Sequence, residues 1–442
     1  MVSTPLFWRL GLIPAGLTLL AFGALAGVLR RPFLAGGLLV LAFGVLHLVD
    51  AAKRRAVREP LVFSDLDLFS QALRFPRLYL PYFGFVRGVG VAVGFTVIVV
   101  AGLTLEPPAG GWRWLSVALF GAALLTLGSR VAPPVSFDPQ EDFARFGLLA
   151  TLWLYWREER KPAPAVASNS FIVRSEDLSG RPHIIALQSE SFFDVRRLGV
   201  QAALEEFDRL CAAGLSGRLA VPAWGANTMR TEFAFLSGIP NAALGVHRFN
   251  PYRRFARRRI PTLATLLGER GYRTLCVHPY PAAFFGRDRV FPNLGFDEFV
   301  DLDDFVDARR DGPYVGDIEL SRKVVEVLTA AAQPVFVFAI SMESHGPFRL
   351  EGSDELGIYL RHLANADAAL GMLSGALRVR GDGVLCVFGD HVPSLPSLYR
   401  DLEQPGDWRT DYLVWRAGQA KPQRCDLAVE QLGQRVLNQI GL

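Results

Sequence analysis

Two hydrophobic rhythms divide the chain. Through the first third, apolar residues run almost unbroken; from about residue 180 they come in short bursts between helical stretches. Leu10–Leu29 is twenty residues without a charge, enough helix to cross a hydrocarbon core of about 30 Å. It is too long for a removed signal peptide and lacks the small-residue cleavage site. Phe33–Val49, Gly88–Leu105 and Trp114–Ser129 are three further candidate spans, with Arg30-Arg31-Pro32 between the first two and Trp112 and Trp114 as interfacial aromatics.

Between the second and third spans, Glu59–Leu73 has helical apolar spacing and is stopped by Pro76, which predicts an amphipathic helix lying on the membrane surface. Phe143–Trp156, with Arg145 and Arg157 at its ends, is short for a span. It is predicted as an interfacial helix, with a fifth span as the alternative. Four spans leave both termini on one side and five do not. The basic cluster Lys53–Arg58 favours one orientation and Arg30-Arg31 the other, so charge leaves topology open. Glu158–Asn169 is polar, proline-containing and aperiodic, and reads as a linker. The expected organisation is a transmembrane domain over 1–135, an interfacial helix and linker over 136–175, and an α/β domain over 176–442.

In that last domain the strand-like runs are Ile184–Leu187, Arg273–Val277, Val335–Ile340 and Val384–Phe388, alternating with helical stretches at Thr262–Arg270, Leu320–Ala332 and Leu356–Leu377. Buried apolar strands alternating with helices predict a mostly parallel sheet with helices on both faces. Ligands in such sheets bind beyond the carboxyl ends of the strands. There the sequence places Gln188-Ser-Glu190-Ser191, His278-Pro-Tyr280, Ser341-Met-Glu-Ser-His345 and Gly389-Asp390-His391. Any one of these acids and histidines suits a loop or a cap; four strand ends carrying them together point to a site. A Gly-containing turn, Val221–Ala226, leads into a predicted amphipathic helix from Asn227 to Ser237-Gly238. Its start offers unpaired N–H groups and a dipole that favour an anion such as phosphate, while a hydroxyl there, Thr228, also suits a plain N-cap.

Composition refines this picture. Half the residues are hydrophobic and mean hydropathy is +0.24, an excess concentrated in the membrane segment. A net charge of +4 carries no nucleic-acid footprint, and the arginines cluster where anionic lipid or phosphate is the better partner. The four cysteines, Cys211, Cys276, Cys386 and Cys425, form no C-x-x-C pair, which excludes zinc-ribbon and thioredoxin readings. Cys386, inside an apolar run, reads as a core thiol.

Glu190, Asp390 and His391, with a hydroxyl oxygen, suit one divalent cation such as Mn²⁺, Mg²⁺ or Zn²⁺. A threonine hydroxyl is a poor nucleophile until a bound metal lowers its pKa; Thr228 on a helix start then suits phosphoryl transfer. His278 and His345 are candidates for phosphate contact or proton transfer, and Arg287 for a bidentate phosphate clamp. For Arg287 the plainer reading is an ion pair with Asp288 or another neighbour.

From about Arg181 onward these residues resemble the lipoteichoic acid synthase and phosphoglycerol transferase branch of the alkaline phosphatase and sulfatase superfamily. The matching pieces are Ile184-Ile-Ala-Leu-Gln-Ser-Glu190-Ser-Phe, Asn227-Thr228-Met-Arg-Thr-Glu-Phe, Met342-Glu-Ser-His345-Gly-Pro-Phe and Phe388-Gly-Asp390-His391, in the family's order. The resemblance implies an alkaline-phosphatase-like fold. It also implies one metal, Mn²⁺ first, held by Glu190, Thr228, Asp390 and His391, with Thr228 as nucleophile and His278, Arg287 and His345 on the glycerophosphate. It further implies transfer of phosphoglycerol from phosphatidylglycerol to a hydroxyl acceptor on an envelope glycan or glycolipid, outside the bacterial cytoplasmic membrane. Phe285-Gly286 replaces the tryptophan that lipoteichoic acid synthases carry before the arginine, so the headgroup pocket is expected to differ. No C/S-x-P-x-R context surrounds Thr228, which argues against sulfatase chemistry. Phosphoethanolamine transferase or phosphodiesterase activity is the alternative, and a non-catalytic envelope-assembly protein a more distant one.

Overall fold

The uncharged runs become long helices in the computed structural model, which describes residues 4–67, 71, 74–75, 78, 82–165, 170–173, 181–346, 348, 354–395, 398–399 and 407–442, with side chains from residue 11 onward. The chain divides into two units, Met1–Pro162 and Ala163–Leu442.

In the first unit, α1 (Thr4–Leu29), α2 (Pro32–Val57), α3 (Phe85–Leu105) and α4 (Trp112–Val131) are, among the described residues, the four helices long and apolar enough to cross a membrane. Their outward side chains, Val93, Phe95, Val97, Leu119 and Phe120 among them, are exposed and suit lipid. This unit anchors the protein in a membrane. α1 and α4 pack backbone against backbone: a Cβ on Gly16 would lie 2.5 Å from the Leu125 nitrogen, and one on Gly121 would lie 2.4 Å from that of Leu20. Small residues permit that approach, which supplies dispersion and close packing where lipid removes the hydrophobic drive.

α2 runs past its predicted end at Val49, and its charged last turns are internally paired. Arg54 Nε donates to Asp50 Oδ2 at 2.8 Å, and Lys53 Nζ reaches Glu59 and Asp65 at 2.6 Å each. Of the predicted surface helix over 59–73, the described part shows a 3₁₀ turn at Phe63–Asp65 and helical backbone at Leu66, Asp67 and Gln71; positions 68–70, 72 and 73 lie outside the described residues. The 143–156 stretch departs from expectation. It breaks at Gly147 (φ 75°) into α5 (Pro139–Phe146) and α6 (Leu148–Glu159). With 12 residues α6 is no span, and Leu148, Leu152, Leu154 and Tyr155 are buried within the unit. α6 also takes in the first residues of the predicted linker, of which 166–169 lie outside the described residues.

The second unit is built on a nine-stranded sheet. Its centre is β1 (Ile184–Ser189), flanked by β7 (Val335–Ile340) and β8 (Val384–Gly389), with β3 (Arg273–Val277) and β4 (Glu298–Val300) beyond β7; all five are parallel. Beyond β8, β9 (Thr410–Arg416) runs antiparallel and pairs with β2 (Leu215–Ala220), which carries the short β10 (Gln423–Arg424) and β11 (Leu427–Ala428). A hairpin, β5 (Arg310–Asp311) and β6 (Tyr314–Val315), stands apart.

The expected α/β class with helices on both faces is what forms. Alternate strand residues feed two cores. Ile184, Ala186, Phe336, Phe338 and Phe388 pack with α7 (Thr228–Ser237), α8 (Leu263–Gly268) and α11 (Val429–Gln439). Ile185, Leu187, Val337 and Val387 pack with α9 (Asp317–Ala330) and α10 (Glu355–Val379). Being buried on both faces, the central strands read as continuous apolar runs, which is why the sequence reveals them. The antiparallel β2 and β9 were not predicted.

Register sets the site. Gln188 pairs with both Ile340 and Phe388, Ser189 with Gly389, and Val277 with Ala339. The strands therefore end level, and the next residues, Glu190, His278, Ser341 and Asp390, emerge at one edge. Gly389 is required there, because a Cβ would stand 2.0 Å from the Phe192 carbonyl.

Candidate active site

Glu190, Asp390 and His391 converge at the ends of β1 and β8, with one ligand atom from each within 4.8 Å of the others. All three are buried. The His391 Nδ1 lies 3.0 Å from the Val392 carbonyl, which only accepts, so Nδ1 carries the proton. Nε2 is then a bare lone pair, 3.3 Å from Glu190 Oε1 and 3.4 Å from Asp390 Oδ2. Asp390 Oδ1 accepts from the backbone N–H of Ser191 (2.8 Å) and of His391 (2.9 Å), while Oδ2 has no hydrogen-bond partner. Burial and then the Asp390 carboxylate push the Glu190 carboxyl well above its ordinary range. Two carboxylates, one of them with an orphaned oxygen, and an imidazole lone pair make a donor set that fits a divalent cation.

Thr228 opens α7 and is nearly buried. The helix is entered through Gly225 (φ 67°) and Asn227 (φ 69°), both left-handed, so the chain turns sharply into it. Asn227 makes no side-chain cap; its carbonyl takes up the Arg230 N–H at 2.9 Å, and the N–H groups of Thr228 and Met229 ahead of it suit an anion. Thr231, one turn on and on the same face as Thr228, donates its hydroxyl to the Asp390 carbonyl at 2.8 Å. That bond ties the start of α7 to the strand end bearing the carboxylate. Ser191 (φ 55°) donates to Glu190 Oε1 at 3.1 Å and touches His391 Nδ1 at 3.5 Å. Left-handed non-glycine residues such as Ser191 and Asn227 are costly and concentrate at functional sites.

The other two histidines share one arrangement. His278 Nδ1 donates to the Ile340 carbonyl at 3.0 Å, leaving Nε2 as acceptor for Arg287 Nη1 at 3.3 Å. Burial, then the Arg287 charge, hold its pKa well below the ordinary histidine value. His345 Nδ1 donates to the Gly346 carbonyl at 2.7 Å, and burial pushes its pKa down to about 4. Both rings are neutral near pH 7, with Nε2 turned away from the backbone.

Arg287 has a partner that the sequence did not name. It is 1% exposed, and its fork is already engaged: Nε donates to Glu232 Oε2 at 3.1 Å and Nη2 to Glu232 Oε1. The Tyr252 hydroxyl adds a bond to Glu232 Oε2 at 2.9 Å. The pairing is a buried one with Glu232, not a surface pair with Asp288, which instead faces Arg289 at 3.7 Å. One N–H each on Nη1 and Nη2 remains for another acceptor. Phe284 and Phe285 lie under the guanidinium, 5.8 and 5.2 Å from their ring centres.

Sequence reasoning assigned no role to Ser191, Thr231 or Glu232. The signal was available for two of them: Thr228, Thr231 and Glu232 stand at i, i+3 and i+4 on one helix face.

The sulfatase family profile matches residues 182–436. The capsular polysaccharide biosynthesis protein RkpI of Rhizobium meliloti (strain 1021) is 31% identical over 439 residues, covering 89% of this chain and 79% of its own. The crystal structure of the lipoteichoic acid synthase LtaP from Listeria monocytogenes is similar at a TM-score of 0.51 and 24% identity, over 62% of this chain and 76% of that one. The Streptococcus pyogenes phosphoglycerol transferase GacH, in complex with sn-glycerol-1-phosphate, gives 0.51 at 20% identity, over 60% and 76%. These two structures share the fold of the second unit. With the family profile spanning more than half of its length, the chain belongs to the sulfatase family of enzymes.

Proposed function

We propose that this protein is a membrane-bound phosphoglycerol transferase that moves phosphoglycerol from phosphatidylglycerol to a hydroxyl on an envelope glycan or glycolipid, through a covalent phospho-Thr228. The observation that carries the reading is the bond from Thr231 to the Asp390 carbonyl, which couples the Thr228 helix start to the Glu190–Asp390–His391 cluster. Those three residues and Thr228 would hold one cation, Mn²⁺ first and Mg²⁺ or Zn²⁺ otherwise. Bound there, it would acidify the threonine hydroxyl and neutralise phosphate charge.

In the first half-reaction Thr228 Oγ bonds to phosphorus as the bond to the diacylglycerol oxygen breaks. In the second, the acceptor oxygen bonds to phosphorus and Thr228 Oγ leaves. In each half the attacking hydroxyl loses the proton that the leaving oxygen gains, and the bare Nε2 of neutral His345 is our candidate for the relay. The N–H groups at the start of α7 and the remaining N–H groups of Arg287 receive the phosphate oxygens. His278, held by Ile340 and Arg287, positions that guanidinium. The second unit would act on the outer side of the bacterial cytoplasmic membrane, with no nucleic acid among its partners.

The test uses purified full-length protein in detergent with Mn²⁺ and headgroup-labelled phosphatidylglycerol, beside Thr228→Ala. Diacylglycerol release and a mass adduct on the Thr228 peptide, both lost in the variant, support the mechanism. Turnover surviving in Thr228→Ala overturns the covalent step. Turnover with phosphatidylethanolamine alone assigns the phosphoethanolamine reading instead.

A further inference from the structure

A second group of metal-ligand side chains lies outside the Glu190 cluster. The β5 strand brings Asp311, the loop after β7 brings Glu343, and α10 brings His362, with one ligand atom from each within 4.8 Å of the others. His362 is only 6% exposed, yet neither ring nitrogen has a hydrogen-bond partner. Its Nε2 stands 3.5 Å from Asp311 Oδ1, close but not hydrogen-bonded. Buried imidazole nitrogens are normally satisfied, so this pair calls for a ligand.

The two carboxylates are held in place by other groups. Arg361 donates to Asp311 Oδ2 at 3.1 Å and to Oδ1 at 2.8 Å. The Asp317 N–H donates to Glu343 Oε2 at 2.6 Å, and Asn365 Nδ2 donates to Oε1. Each oxygen keeps a further lone pair, and outer hydrogen bonds of this kind are what orient metal ligands. One imidazole with two carboxylates favours Zn²⁺ or Mn²⁺ over the all-oxygen preference of Ca²⁺.

We propose that Asp311, Glu343 and His362 form a second divalent transition-metal site, distinct from Glu190–Asp390–His391, which fastens the β5–β6 hairpin to α10 and to the loop that carries His345. The two sites are linked along the loop after β7, where the Ser341 hydroxyl accepts from the Glu190 N–H at 3.0 Å and Glu343 follows two residues on.

The test counts zinc bound by the full-length chain in detergent, stripped with chelator, re-equilibrated with Zn²⁺ and measured by mass spectrometry of the metal. His362→Gln, and separately Asp311→Asn should the first fold poorly by circular dichroism, is expected to lose one equivalent relative to the unsubstituted chain. The double variant Glu190→Gln/Asp390→Asn is expected to keep one, with a zinc-dependent rise in Tm that disappears when His362→Gln is added. A folded His362→Gln protein that binds as much zinc as the unsubstituted chain, or a Glu190→Gln/Asp390→Asn variant that binds none, overturns the proposal.

Discussion

Glu232→Ala is the substitution whose cost can be worked most directly. Glu232 and Arg287 are at most 2% exposed in their side chains, and Glu232 takes two bonds from the guanidinium and one from Tyr252. Removing one partner of a buried pair leaves a desolvated charge and costs about 3–5 kcal/mol. A buried Tyr252 hydroxyl without its acceptor adds about 1 kcal/mol or more. For a unit of this size each kcal/mol lowers Tm by roughly 2 °C, so the expected drop is roughly 8–12 °C. The companion is Glu232→Met/Arg287→Met, which removes both charges and keeps the volume. Apolar replacement of a whole buried pair is often about neutral, and the His278 Nε2 that loses its donor costs about 1 kcal/mol. The double variant should therefore be the more stable of the two, although it lacks a group proposed to meet phosphate and should be impaired in turnover. Thermal unfolding of the full chain in detergent, followed by tryptophan fluorescence, reads both. A Glu232→Ala shift under about 2 °C, or a double variant that melts as low as Glu232→Ala, would refute the claim that the pair is a buried charge couple.

Three further outcomes are expected. Chelation should abolish turnover, and Asp390→Asn should need far more Mn²⁺ to restore it, since the orphaned Oδ2 is then a neutral amide; a variant with an unchanged metal requirement removes Asp390 from the ligand set. Cys276 and Cys386 are 0% exposed, and burial raises both thiols above their ordinary pKa, so in the native chain neither should react with an aromatic disulfide reagent at pH 8, and both should react once unfolded. His278 has a folded pKa well below its unfolded value near 6.5, so the unfolded chain binds the extra proton and stability falls as pH drops through 6.5 and below. His278→Gln should flatten the fall of Tm between pH 7 and 5, and an unchanged slope would contradict a neutral buried ring.

What the sequence disclosed and what it withheld follow from the range of the interactions involved. The central strands were legible because burial on both faces makes Val335–Ile340 and Val384–Phe388 uninterrupted apolar runs, and a parallel sheet then fixes which ends face the ligand. Glu190, His278 and Asp390 were found by that rule alone, since level register follows from the pairing. The strands β2 and β9 stayed hidden: Leu215–Ala220 is half-buried and carries Ser216, Gly217 and Arg218, a weak pattern that only its antiparallel partner stabilises. The 143–156 stretch hid its own break for a similar reason: its apolar spacing reads as one helix, but Gly147 divides it and neighbouring segments of the unit bury Leu148 and Leu154.

Arg287 is the most instructive case, because its motif suggested a phosphate clamp and the competitor the sequence named was the adjacent Asp288, whereas the actual competitor is distant in the chain. Glu232, 55 residues earlier, is that competitor, and it lies one turn after Thr228 on the same helix. The coupling has a consequence for the chemistry. If the guanidinium were free, a phosphate would bind it wherever the side chain wandered. Fixed by Glu232 from the helix that Thr228 opens and by His278 from a neighbouring strand end, the guanidinium is held in one position. For the proposed transfer, preorganisation of that kind would require no rearrangement as charge develops on the transferring group, which gives a reason to keep in the core a charge couple that costs desolvation.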